Sequence, residues 1–325
     1  MNLRIGSRGS ELALWQANHI AGLLRGQGHS VEIEIVKTTG DRLQDVTFSQ
    51  VGDQFGILTG SKGIFAKEIE EALAAAQVDL AVHSLKDLPT ELPEPFALAA
   101  TPPRADPRDA FVSARYENLA ALPPGARVGT SSQRRRAQLK ALRPDIDAVE
   151  FRGNVDTRLR KLADGQVDAI LLAAAGLDRL GRTDWVRERL NPKEFCPAAG
   201  QGALAIETRK DDAATIAAVA FLDDPDTRFA VTAERTALAA LGGGCQVPIG
   251  IHCRPATGTA TQPGGEQLDE IFGLVASPET GAAVRIFHRT ARAGSDPVAL
   301  GRLAAQMLLD AGAGPLLAAT AKAGL

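Results

Sequence analysis

The chain has 325 residues, of which 45% are hydrophobic and 23% charged, with a formal net charge of −3. These values fit a globular protein of two or three domains, and the acidic balance argues against a general nucleic-acid binder, whose domains are usually basic. Three cysteines, Cys196, Cys245 and Cys253, are too few and too uneven for a disulfide framework.

Residues 3–5 read as a short strand and GSRGS (6–10) as a turn, with Ser10 as N-cap of a helix over 11–25. Leu12, Trp15, His19 and Leu23 fall at helical spacing and predict its buried face. A strand, a small-residue loop and a helix N-terminus can take an anion, and Arg8 lies in that loop; a capped helix with a solvated arginine has the same pattern. Residues 31–36 alternate as a half-exposed strand. The polar stretch 38–61 is too long for an ordinary connection and reads as a mobile or functional loop. Within it, GILTGSK (56–62) lacks the spacing of a phosphate loop. A helix is predicted over 65–76 with Phe65, Ile69 and Leu73 inward.

A strand over 78–83 runs into SLKDLP (84–89). Ligands of open α/β sheets sit beyond the carboxyl ends of strands, so Lys86 and Asp87 are placed for chemistry, although a surface ion pair before a proline turn would look alike. His83 reads as a packed core histidine, because no metal-site spacing surrounds it. TPPRADPRD (101–109) is a stiff crossing and a predicted hinge. A second α/β unit follows, with a strand over 127–129 and Thr130 to Ser132 capping a helix over 133–142. Arg134, Arg135 and Arg136 occupy that helix's first turn, where each positive charge costs roughly 0.3–1 kcal/mol. Either an anion sits there or the face is solvated. A strand over 147–151 leads to Arg152 and Arg158, and one over 167–172 leads to a helix carrying Arg179. Arginines gathered at one edge suit a ligand with several carboxylates.

PAAGQG (197–202) is a second crossing, after which a strand over 203–208 returns to the first unit. A helix over 227–241 ends in LGGGCQVPIG (241–250), where three glycines precede Cys245. Such a loop presents a reachable thiol, although a small buried cysteine beside a turn is the commoner case. Strand-like runs at 249–253, 270–276 and 283–288, a turn at 258–265 and a helix over 297–312 complete a small α/β domain whose cysteine loop is expected to face the cleft. Cys196 and Cys253 read as structural. The expected architecture is α/β: two lobes like those of periplasmic binding proteins around a hinged cleft, plus the small C-terminal domain. The boundaries are 1–102 with 200–222, 103–199, and 223–325.

Six motifs in order, GSRGS apart, carry a resemblance: AVHSLKDLP (81–89), GTSSQRR (129–135), FRGN (151–154), AAGLDRLG (174–181), PAAGQG (197–202) and LGGGCQVPIG (241–250). The chain resembles the porphobilinogen deaminase, or hydroxymethylbilane synthase, family over its first 250 or so residues. The resemblance implies a transferase of tetrapyrrole and heme biosynthesis that joins four porphobilinogen molecules head to tail, releases ammonia, and hydrolyses off hydroxymethylbilane. It implies a dipyrromethane cofactor in thioether linkage to Cys245 and Asp87 as the catalytic carboxylate. Ser84, Lys86, Asp87, Ser132, Arg134 and Arg135 are implied to bind the cofactor. Arg8, Ser10, Gln16, Lys62, Phe65, Arg152, Arg158, Arg179 and Gln201 are implied to bind substrate. The sequence departs from the family in the connection 41–62, which is longer. There Gln50 stands where a lysine often precedes Val-Gly and Ser61 replaces a glycine, so Lys67 is not promoted to a loop lysine.

No metal is expected, and a cytoplasmic monomer without membrane or nucleic-acid partners is. The opening residues lack an apolar signal core, no apolar run approaches the ~18 residues of a membrane helix, and the sparse cysteines suit a reducing compartment. A non-catalytic two-lobed polycarboxylate-binding protein is the competing reading; it has no use for Cys245 on a glycine loop. A nucleic-acid-binding regulatory domain is disfavoured by charge.

Overall fold

The computed structural model describes residues 1–38, 66–243, 247–256 and 267–322. The chain opens with β1 (Asn2–Ser7), α1 (Glu11–Gly26), β2 (Ser30–Ile35), α2 (Lys67–Ala74), β3 (Leu80–Ser84) and β4 (Phe96–Ala100). After the first crossing come β5 (Asp109–Val112), β6 (Arg127–Gly129), α3 (Gln133–Leu142), β7 (Asp147–Val149), α4 (Val155–Ala163), β8 (Ala169–Ala173), α5 (Ala174–Arg179) and β9 (Val186–Arg189). The return crossing leads to β10 (Leu204–Arg209), α6 (Ala213–Val219) and α7 (Pro225–Ala240). The rest comprises β11 (Ile249–Pro255), β12 (Leu268–Ala276), β13 (Ala283–Ala291), α8 (Pro297–Asp310) and α9 (Ala313–Lys322).

Two five-stranded sheets share one plan. The first runs β2-β1-β3-β10-β4 and the second β7-β6-β8-β5-β9. In each, three parallel strands are followed by one antiparallel strand. That strand is supplied across a crossing: β10 returns into the first sheet, and β5 opens the second. The two lobes with two crossings are thus as expected. β4, β5 and β9 were not anticipated. β4 is alanine-rich, β5 has four residues, and β9 (VRER) is mostly charged, so none shows a strand's apolar alternation.

The α1 face is a correction. Ser10 caps the helix by accepting from Ala13 N at 3.3 Å, but the buried stripe is Gln16, Ala17, Ile20, Ala21 and Leu24. The four apolar ones pack on Leu3, Ile5, Val31, Leu80 and Val82. Trp15 and Leu23 are exposed by 37% and 39%, and Trp15 stacks on His19 with centroids 5.1 Å apart. The stripe containing Ala17 and Ala21 lets the helix lie close to the sheet; the bulkier stripe is left outside. α2 begins at Lys67 and buries Ile69 and Leu73 against Val78 and Ala81. Phe65 lies outside the described residues.

The third sheet, β11-β12-β13, is antiparallel. One face, with Ile251, Cys253, Ile271 and Val275, packs on α7 and α8. A Cβ on Gly301 would lie 2.4 Å from Ala233 O, so glycine sets how closely these helices cross. The other face places Phe272, Leu274 and Ala276 on Ala137 of α3 and on Cys196. Cys196 and Cys253 are buried free thiols, and burial pushes Cys196 up to about 12. α9 continues beyond the expected end of the chain's last helix. Among the described residues no helix is long and apolar enough to cross a membrane, and none of their side chains form a metal-binding group.

Candidate active site

The two crossings touch. Ala105 N donates to Gly202 O at 3.2 Å, and a Cβ on Gly202 (φ +87°) would lie 2.5 Å from Ala105 O. Gly200, at φ +72°, brings the return crossing within van der Waals reach of Leu85 and the Lys86 backbone N. Only glycine combines such φ values with such approach.

Both crossings are fastened to the third domain through Glu234 on α7. Arg104 reaches its two oxygens at 2.7 and 3.0 Å and also donates to Gln201 O at 2.8 Å. Gly200 N and Cys253 N donate to the same carboxylate at 2.6 and 2.8 Å, and His252 Nδ1 lies 3.3 Å away. Burial alone would raise the Glu234 carboxyl, but Arg104 and His252 override it and hold it at about 2. Ile251 N donates to Pro197 O at 3.1 Å, so β11 is also tied to the return crossing.

A second carboxylate organises the second lobe. Asp109, the first residue of β5, accepts from Arg134 at 2.6 and 3.1 Å, from Arg135 at 2.9 Å and from Gln201 Nε2 at 3.0 Å. All four side chains are buried. Burial works to raise Asp109, yet the two guanidiniums hold it well below the usual carboxylate range. The anion expected at the start of α3 therefore includes one from the protein itself. Arg134 also donates to Cys196 O at 2.7 Å and Arg135 to Leu171 O at 3.1 Å, which fixes both guanidinium planes. Ser132 caps α3 through Arg135 N, and Arg136 lies 3.6 Å from Glu150.

The turn after β3 faces this cluster. Ser84 Oγ accepts from buried Gln16 Nε2 at 2.9 Å. Lys86 is half-buried; burial lowers its ammonium to about 8, Asp87 opposing and Arg135 adding to the fall. Asp87 is exposed, and no described side chain donates a hydrogen bond to it. Its charge is felt at Arg135, so the turn of lobe one and α3 of lobe two share one field. Arg8 follows β1 at the same sheet end, beside the Ser10 cap. His83 is buried 3.0 Å from Glu207, off the line of a hydrogen bond, in agreement with a core histidine.

Three further arginines stand in the second lobe. Arg152 donates to Glu150 at 2.6 Å. Arg158 donates to Gly153 O at 2.7 Å and has no ion pair among the described residues; burial, then Arg135 and Arg152, lower it to about 10. Arg179 donates to Gly202 O at 2.8 Å, lies over the Trp15 ring, and is lowered to about 10 by burial. Two cations desolvated without a carboxylate partner among the described residues fit an anionic ligand with several carboxylates, which is the donor chemistry a dipyrromethane requires. Lys62, Phe65 and Cys245 lie outside the described residues.

Two family models cover most of the chain: "porphobilinogen deaminase, dipyromethane cofactor binding domain" matches residues 3–217 and "porphobilinogen deaminase, C-terminal domain" residues 228–310. The chain belongs to the porphobilinogen deaminase family. A porphobilinogen deaminase of Chromobacterium violaceum is 49% identical over 97% of this chain and 96% of its own; one of Syntrophobacter fumaroxidans is 47% identical over the same shares. Family membership makes the chain a transferase with a dipyrromethane-binding domain, in place of the non-catalytic binding protein weighed above. Solved structures that match include the methionine-binding protein MetQ, at 13% identity, TM-score 0.42, and 68% and 89% coverage of the two chains. A periplasmic substrate-binding protein of Coxiella burnetii matches at 14%, 0.40, 70% and 94%.

Sequence reasoning set Asp109 aside as a hinge residue and passed over Arg104, Glu234 and His252. The available signal was an acid opening an apolar strand (DAFV) and another inside a helix's buried stripe.

Proposed function

We propose that this deaminase joins four porphobilinogen molecules head to tail on a dipyrromethane held by Cys245, releasing ammonia at each addition and finally hydroxymethylbilane. The observation that carries the reading is the pair of desolvated arginines, Arg158 and Arg179, which have no ion pair among the described residues, on the same edge as Lys86 and the Arg134–Arg135 cluster. Porphobilinogen carries an acetate and a propionate, and each ring added brings two more carboxylates to that edge.

The bound dipyrromethane supplies the nucleophilic pyrrole carbon to which the first substrate ring is joined. Ser84, Lys86, Ser132, Arg134 and Arg135 hold its carboxylates, and Asp109 fixes the two guanidiniums that do so. Arg8, Ser10, Gln16, Arg152, Arg158, Arg179 and Gln201 orient substrate, with Lys62 and Phe65 from the long connection. Asp87 is the catalytic carboxylate: exposed and accepting from no described side chain, it can take pyrrole N–H groups where positive charge develops and exchange a proton with the leaving amine. The division into residues 1–102 with 200–222, 103–199, and 223–325 belongs to this reading, supported by the two crossings. So does a cytoplasmic monomer with no nucleic-acid partner, supported by the acidic charge and the two buried free thiols.

Intact-protein mass spectrometry with an ammonia-release assay tests it. Active protein should exceed its chain mass by two porphobilinogen units less two ammonia, and Cys245→Ser should fold without the adduct. An unmodified mass in protein that releases ammonia would overturn the assignment of Cys245.

A further inference from the structure

A recess of about 290 Å³ opens where the second lobe meets the third sheet. One wall is Pro192, Lys193 and Cys196, from the segment entering the return crossing; the other is Phe272 of β12 with Arg285 and Phe287 of β13. The site residues described above do not line it.

Its chemistry is specific. Phe272 and Phe287 form a tilted pair with centroids 5.1 Å apart. Phe272 is buried, whereas Phe287 keeps 49% of its surface exposed; Arg289 lies 5.8 Å from the centroid of the Phe287 ring, and part of that ring is held open at the mouth beside it. Arg285 and Lys193 flank these rings, and neither has an ion pair among the described residues. The neighbours of Arg285 differ: Arg254 and Arg289 in the same sheet, and Arg292 just after β13, all pair with carboxylates. Partial burial lowers the Arg285 guanidinium, with Cys196 and Glu194 opposing. Two cations without an ion pair among the described residues, beside a half-exposed aromatic ring, form a complementary surface for a planar ring that bears a carboxylate.

We propose that this seam is a second ligand site, separate from the tetrapyrrole-building cleft, that takes a small aromatic carboxylate: the ring against Phe272 and Phe287, the carboxylate between Arg285 and Lys193. The floor of the recess is mechanically joined to the candidate active site. Cys196 O accepts from Arg134 at 2.7 Å and from Gln138 at 2.9 Å, and Cys196 N donates back to Gln138 at 2.6 Å. On the other side, a Cβ at Gly250 would lie 2.8 Å from Cys196 O, so β11 has no slack against that peptide. A ligand wedged between Lys193 and β13 therefore acts on the carbonyl that fixes Arg134.

The test is fluorescence titration of the cofactor-loaded protein with 2-naphthoate, alongside 2-naphthamide as the neutral probe. Wild type should bind the acid, and the amide at least tenfold more weakly. Arg285→Ala with Lys193→Ala should weaken the acid by tenfold or more; both side chains are exposed, so folding should survive. Arg152→Ala, in the cleft, should leave the titration unchanged. Equal affinity in the double variant, loss of binding in Arg152→Ala, equal binding of acid and amide, or no saturable binding by wild type would each overturn the proposal.

Discussion

Arg134 grips both oxygens of Asp109, at 2.6 and 3.1 Å, with both side chains buried. Arg135 and Gln201 complete the shell around the same carboxylate. Ordered positive charge in this cleft thus depends on one internal anion. Asp109→Asn should cost roughly 3–5 kcal/mol, since removing one member of a buried ion cluster strands its partners. Urea unfolding of the two proteins reads this directly. Asp109 is held below its unfolded value of about 3.9, so its contribution is present above that pH and lost as pH falls through the lower folded value. The gap between variant and wild type should close on acidification.

Glu234 joins both crossings to the third domain, and its carboxyl is held at about 2 against roughly 4.3 unfolded. The sign is that of a depressed acid: stability is fully present above about pH 5 and lost as pH falls towards 2. The shift corresponds to about 3 kcal/mol. Glu234→Gln should remove most of that at pH 7 and flatten the acid limb of a stability–pH profile. A variant that unfolds with the wild-type profile would place the crossings' attachment elsewhere.

Lys86 stands at about 8 because burial disfavours its ammonium. Its unfolded value is about 10.4, so keeping it protonated costs stability below pH 8, and the cost fades between about 8 and 10.4. For carboxylate binding the consequence is opposite: charge is lost as pH rises through 8. Loading of cofactor-free protein with dipyrromethane should therefore weaken above pH 8. Lys86→Arg, which stays charged, should flatten that fall; intact mass after loading between pH 7 and 9.5 decides.

Arg158 contrasts with Arg134. Its one described side-chain hydrogen bond goes to Gly153 O, and burial lowers it, so the folded chain gains little from its charge. Arg158→Leu should leave urea stability within about 0.5 kcal/mol, yet weaken substrate or cofactor binding by about 1.5–3 kcal/mol, the worth of a charged hydrogen bond. Arg158→Lys should recover only part of the loss. Wild-type KM and normal cofactor loading in Arg158→Leu would remove it from the site.

Asp87 should be needed for chemistry rather than for the fold. Asp87→Asn should unfold like wild type and lose most of kcat, because an amide can neither carry the charge nor exchange the proton. Asp87→Glu should retain activity reduced by up to ~10²-fold, the cost of about an ångström of misplacement. Single-turnover ammonia release by cofactor-loaded protein measures both. Near-wild-type release by the Asn variant would leave the arginine edge without its catalyst.

Local chemistry made much of this protein legible from residues alone. Ser10 and Ser132 cap the helices they precede, because capping depends on residues two or three apart. α3 and the third domain's strands fall where alternation and turn residues put them, and the proline- and glycine-rich crossings stand between the two sheets. Ordered motifs were enough to mark the family. Tertiary structure alone decided the rest. Which stripe of α1 lies down depended on how closely Ala17 and Ala21 let it approach β1 and β3, not on where its largest apolar side chains fell. Asp109 meets Arg134 across 25 residues and Arg104 meets Glu234 across 130. No sequence period marks such pairs: they arise because two crossings bring strand starts, a helix stripe and a glycine backbone to one buried point, where an unpaired charge would be too costly to keep.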